Sequence, residues 1–175
     1  MGVLSPDCSV FHVTTFYDIP SDLLNDALSE LLASNDAISM PKWATYVKTG
    51  MHNENPPLAS DWWERRCASL LRKVAKKGPI GVNHLSQEYG GKMRRRSTPG
   101  KPVAASRKVI RVALQQLEDA GFVSRSEKKS VESVDGEQML YTGRICTPAG
   151  QKILNEAAFS AKEHAVSKHP GLEQY

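Results

Sequence analysis

In SDWWERRCASLLRKVAKKG, which begins at Ser60, the residues Trp63, Cys67, Leu70, Leu71 and Val74 recur at helical spacing. Only an amphipathic helix laid on a core buries such a stripe, so any fold for this chain is built around one. Ser60 is placed to cap the helix, Glu64 suits its positive end, and Lys76 and Lys77 stand at its negative end before Gly78. The other sides are cationic, with Arg65, Arg66, Arg72, Lys73, Lys76 and Lys77. Cys67 falls inside the stripe and reads as a small buried hydrophobe, not a nucleophile.

Two further helices have the same logic. SDLLNDALSELLASN sets Leu23, Leu24, Ala27, Leu28, Leu31 and Leu32 behind a Ser21 cap and predicts an acidic amphipathic helix. VAASRKVIRVALQQLEDAGF puts Val109, Ile110, Ala113, Leu114, Leu117 and Ala120 on one face and ends at Gly121, while Arg107, Arg111 and Gln115 follow another face at steps of four. Pro41 marks a first turn for MPKWATYV, and PIGVNHLSQEYGG predicts a short helix from Val82 to Tyr89. GGKMRRRSTPGK, residues 90 to 101, reads as a basic loop with Lys92, Arg94, Arg95, Arg96 and Lys101.

FVSRSEKKSV and QMLYTGRIC have strand composition around an Asp-Gly turn and predict a hairpin. Thr147 then caps a last helix with Pro148 at its first position, and a frayed tail is expected past about His164. At 175 residues and 40% apolar content the chain suits one core, not two. The expected layout is an irregular extension over 1–18, a single domain over 19–160 and a tail over 161–175.

Charge is segregated along the chain. Residues 1 to 41 hold six acids and no Lys or Arg. From 42 to 112 sixteen Lys or Arg stand against four acids, and from 113 to 175 seven against nine. A clustered basic stretch of this strength points to a polyanionic partner. The Arg forks suit phosphate oxygens, and Gly and Pro let the loop follow a backbone closely. Aromatic residues do not interleave with the loop's charges, so a folded backbone is expected as the target and not splayed bases. Some six to ten phosphate contacts would give a log–log salt slope of about −0.7 to −0.9 per contact.

Other classes find little support. Cys8, Cys67 and Cys146 are odd in number and far apart, and the five histidines are scattered, so no disulfide framework or metal site is expected. GGK lacks the spacing of a phosphate loop, and no triad or carboxylate pair appears, which argues against catalysis and a cofactor. No apolar run is long enough for a membrane span and no secretory signal opens the chain, so a soluble intracellular protein is expected.

The order helix, short helix, basic loop, helix, hairpin, helix is that of a winged helix-turn-helix, here mainly α with a β-hairpin wing and additional N-terminal helices. From about Ile19 to Ala158 the chain resembles the eukaryotic and archaeal small-subunit ribosomal protein nineteen family. The resemblance is carried by MPKW at 40, WWERRCAS at 62, GVNHLSQEYGG at 81, SRKVIRVALQQLE at 106 and GRICTPAGQ at 143. It implies a non-enzymatic structural constituent of the small ribosomal subunit, bound to ribosomal RNA of the head and to neighbouring proteins. It also implies a part in assembly and precursor RNA maturation, with the mature protein on cytoplasmic ribosomes and assembly in the nucleus or nucleolus.

By the resemblance, the RNA-facing residues are Arg66, Arg72, the basic loop from Lys92, Ser106, Arg107, Arg111, Gly143 and Arg144. Charge adds Arg65, Lys73, Lys76, Lys77 and Lys108. Val112 stands where the family usually has a second Arg, Arg65 where it tends to have Thr, and the wing is longer than in typical members. The alternative reading is a winged-helix transcriptional regulator that reads duplex DNA, with Gln115 its main base-reading candidate.

Overall fold

The computed structural model describes residues 15–95, 97–133 and 136–168, with backbone alone at 94, 95, 129–133 and 136–139. Arg96, the Asp135 of the expected turn, and the expected extension and tail at 1–14 and 169–175 lie outside the described residues. Five helices and two antiparallel hairpins make up the described chain: α1 Ser21–Ala33, a 3₁₀ turn Lys42–Tyr46, α2 Trp62–Lys77, α3 Val82–Glu88, β1 Gly91–Arg95, β2 Thr98–Val103, α4 Arg107–Asp119, β3 Val123–Ser133, β4 Gly136–Cys146 and α5 Pro148–Lys168. The mainly helical class and the 123–146 hairpin were expected from sequence.

Leu24, Leu28 and Leu32 of α1, the α2 stripe, Val109 to Leu117 of α4 and Leu154, Ala157 and Ala158 of α5 form one apolar core. Trp63 lies at its centre, wholly buried, with its ring edge-on to Trp43 at 5.8 Å and to Trp62 at 5.4 Å. Its Nε1 donates to Gln116 Oε1 at 2.8 Å, and Gln116 Nε2 donates to the Ser39 carbonyl at 2.7 Å. α2, α4 and the segment after α1 are thereby tied together.

Three expectations differ. Residues 90–101, read as a loop, instead supply most of the β1–β2 hairpin, with Gly91 opposite Val103 and Met93 opposite Lys101. Ser60 and Ser21 do not cap their helices: Asp61 precedes α2 and Pro20 precedes α1, neither with a side-chain cap. The Asp61 carboxylate instead accepts from Arg65 Nε at 2.5 Å. α5 also continues past the frayed end expected at about His164. Phe16 is buried in the core, and α5 runs to Lys168 with Ala161 and Ala165 still buried. Thr147 does cap α5, its Oγ1 accepting from Gly150 N at 3.2 Å.

Candidate nucleic-acid interface

At about 100° per residue, Arg65, Arg72 and Lys76 fall on the side of α2 opposite Trp63, Cys67, Leu70, Leu71 and Val74, whereas Arg66, Lys73 and Lys77 flank that stripe on its Leu70 edge. They differ in what they touch. Arg65 is spent on Asp61 and on Asp26 of α1, at 3.2 Å. Lys73 and Lys77 both meet Glu88 of α3, Lys73 at 3.3 Å, and His84 lies 3.4 Å from the same carboxylate. Arg72 and Lys76 have no carboxylate partner among the described residues.

Arg66 is held differently. Its guanidinium carbon lies 4.3 Å from the centre of the Tyr89 ring, and Lys73 Nζ lies 3.8 Å from it. The Tyr89 hydroxyl shares a 2.6 Å hydrogen bond with Ser69, which fixes the ring against α2. Burial pulls the Arg66 guanidinium below its ordinary pKa and pushes the Tyr89 phenol above its own. Lys73 is lowered too, first by burial and then by the charges of Lys77, Arg66 and Arg72. Cys67, one residue along but inside the core, has its thiol pushed up to about 12, chiefly by burial. A thiol that stays protonated there is a packing group.

Tyr89 also begins the path to the other cations. Gly90 follows it, and a Cβ at Gly90 would lie 2.5 Å from the Val103 carbonyl, so the two strand roots approach more closely than a larger residue permits. Ala105 N donates to the Ser86 carbonyl and Ser106 N to the Thr49 carbonyl, both at 2.8 Å. The hairpin thus leaves and re-enters the domain at one point, with Lys92 and Lys101 exposed and Arg94 and Arg95 at strand positions. Chain return through Ser106 starts α4, whose first amides have no side-chain cap. There Arg107 donates to Asn83 Oδ1 at 3.3 Å, Lys108 lies 4.9 Å from the Trp43 ring centre, and Arg111 is exposed without a partner among the described residues.

Gly143 and Arg144 lie near the end of β4, beside Ile80, which follows the C-terminus of α2. Arg144 and Ile80 exchange two backbone hydrogen bonds at 3.1 Å. Gly143 has φ +152°, and a Cβ there would lie 2.7 Å from the Ile80 carbonyl carbon and oxygen. Glu118 takes the Arg144 guanidinium at 3.4 Å, together with Arg125 at 2.6 Å, and Arg144 is only 15% exposed. Both residues join β4 to the domain. Gly143→Ala is expected to cost roughly 1–3 kcal/mol from backbone conformation alone, before the clash is counted; a urea midpoint equal to that of the parent would refute the close approach.

A profile of the Ribosomal protein S19e family matches residues 15–164. The chain belongs to this family. Its relatives include small ribosomal subunit protein eS19 of Haloarcula marismortui, 48% identical over 93% of this chain and 99% of that protein. The eS19 of Aeropyrum pernix is 38% identical over 90% of this chain and 96% of its own length. Small ribosomal subunit protein eS19B of Drosophila melanogaster is 34% identical over 82% and 84%.

In this S19e chain, Tyr89 and Glu88 organise the cationic face, and sequence reasoning gave neither a role there. Glu88 was discoverable. Only four acids lie in the cationic stretch 42–112, so each was a candidate for local neutralisation. Tyr89 gave no such signal, because its contact with Arg66 is made across the α2–α3 turn.

Proposed function

We propose that the protein is a structural constituent of the small ribosomal subunit. It binds ribosomal RNA of the head through α2, the β1–β2 hairpin and the N-terminal half of α4, and it supports subunit assembly and maturation of the precursor RNA. The supporting observation is one of charge pairing. Among the described residues Arg66, Arg72, Lys76, Lys92, Lys101, Arg107, Lys108 and Arg111 meet no carboxylate, although the chain has acids nearby that pair with Arg65, Lys73 and Lys77. Cations left unpaired on these elements are available to an external polyanion, and the Arg forks among them suit phosphate oxygens.

The succession α3, α4, β3, β4 supports reading the domain as a winged helix with β3–β4 as its wing. On this reading Gly143 and Arg144 secure the wing, and RNA contact falls to the unpaired cations. Relatives named as ribosomal proteins disfavour the DNA-regulator alternative. The mature protein resides on the ribosome, beside other small-subunit proteins, with nuclear or nucleolar assembly where the cell has a nucleus. In a sucrose gradient at moderate salt the native protein is expected to sediment with small subunits and their precursors. Finding it only at the top of the gradient would overturn the proposal.

A further inference from the structure

Beside Arg66 an open groove of about 420 Å³ is lined by Trp62, Arg66 and Tyr89 together with Asn53, Pro57 and Ala59 of the 49–59 loop, among others. That volume lies within the range of about 300–1,000 Å³ typical of small-molecule sites. Its lining mixes flat apolar surfaces with amide groups. Asn53 Nδ2 donates to Thr49 Oγ1 at 2.6 Å, which orients the amide and leaves its Oδ1 to accept. Arg66 is half-buried at the groove wall, stacked on Tyr89, and meets no carboxylate among the described residues.

A partly desolvated guanidinium without a counter-charge is costly unless something from outside completes it. The guanidinium plane and its donors suit two features of a nucleotide, the face of a base and the oxygens of its phosphate. We propose that this groove receives one unpaired nucleotide, turned out of the RNA that the rest of the basic face holds by its backbone. The proposal rests on the RNA-binding reading above and adds a site to it. Arg66 engages the phosphate and stacks on the base, Pro57 flanks it beside the small exposed part of Trp62, and Asn53 meets the base edge. Aromatic and cationic groups are therefore interleaved in space, although the basic segment 90–101 has no aromatic residue.

Two hairpin RNAs test this, one fully paired and one with a single 2-aminopurine bulge, each titrated at low salt with the full chain. The bulged RNA is expected to bind roughly tenfold more tightly, the increment typical of one stacked base, and its fluorescence should be quenched on binding. Asn53→Ala removes the edge contact. Ala59→Phe fills the groove from an exposed position, outside the core. Ala59→Phe should melt with the parent and bring the ratio of the two affinities close to one, whereas Asn53→Ala, which also gives up the hydrogen bond to Thr49, should lower the ratio and cost about 1 kcal/mol of stability. Equal affinities in the parent, with both RNAs bound, would overturn the groove and leave the backbone reading standing. A ratio preserved in both variants would place the unpaired base elsewhere, and failure of either RNA to bind would overturn both readings.

Discussion

Trp63→Ala will lower the unfolding free energy by about 3–5 kcal/mol, which for a domain of this size is a fall in melting temperature of roughly 6–20 °C. Three losses coincide at this residue. The indole is wholly buried, so its removal leaves a cavity among the α2 and α4 side chains, which belong to rigid helices and close over it only partly. Two edge-on aromatic contacts disappear, with Trp43 and Trp62, each worth about 0.5–1.5 kcal/mol beyond its buried area. Gln116 Oε1 loses its donor, which weakens the link through Gln116 to Ser39. Trp63→Phe retains most of the volume and loses the hydrogen bond, and should cost about 1–2 kcal/mol. Urea unfolding of the two variants beside the parent checks both figures. A cost below 1 kcal/mol for the alanine variant would mean that Trp63 does not occupy the centre of the core.

The long helices were readable because their burial is periodic: Leu24, Leu28 and Leu32, or Val109, Ala113 and Leu117, repeat every four residues and are buried. The β1–β2 hairpin was not. Gly, Pro and five cations between 90 and 101 are poor strand formers, and the pairing is held at its root by Gly90 under Val103 and by Ala105 on Ser86. Those contacts are tertiary and leave no local pattern. The end of α5 was misjudged because Ala161 and Ala165, small residues in a polar stretch, give a weak apolar signal yet are buried. The caps failed because the helix starts fall one residue off: Ser21 is already inside α1, and Ser60 lies one residue before the cap position of α2, where the Asp61 carboxylate is taken by Arg65.

The cations themselves were legible, and their partners were not. Sequence treats Arg65 and Arg66 alike, whereas folding brings Asp26 to the first and Tyr89 to the second. A run of charge therefore gives the sign of a surface and overstates its free charge. Only the fold separates neutralised groups from available ones.

That separation sets the expected outcome of reversing charge at two positions. Arg111→Glu alters an exposed side chain without a partner among the described residues, so its melting temperature should stay within about 2 °C of the parent. Arg66→Glu also loses the cation–π contact with Tyr89 and should be destabilised by roughly 1 kcal/mol. Against ribosomal RNA at low salt each is expected to weaken binding about tenfold, close to 1.4 kcal/mol. Each should also reduce the log–log salt slope by about one contact. The two residues lie on different helices, so the double variant should approach a hundredfold if their contributions are independent. Arg65→Glu is the internal comparison. Its charge already lies against Asp26 and Asp61, so reversal should change the salt slope less than Arg111→Glu does. Filter binding over a series of salt concentrations, with incorporation into small subunits measured in parallel, reads all four variants. If Arg65→Glu and Arg111→Glu reduced the slope equally, ion pairing within the chain would not decide which cations reach phosphate.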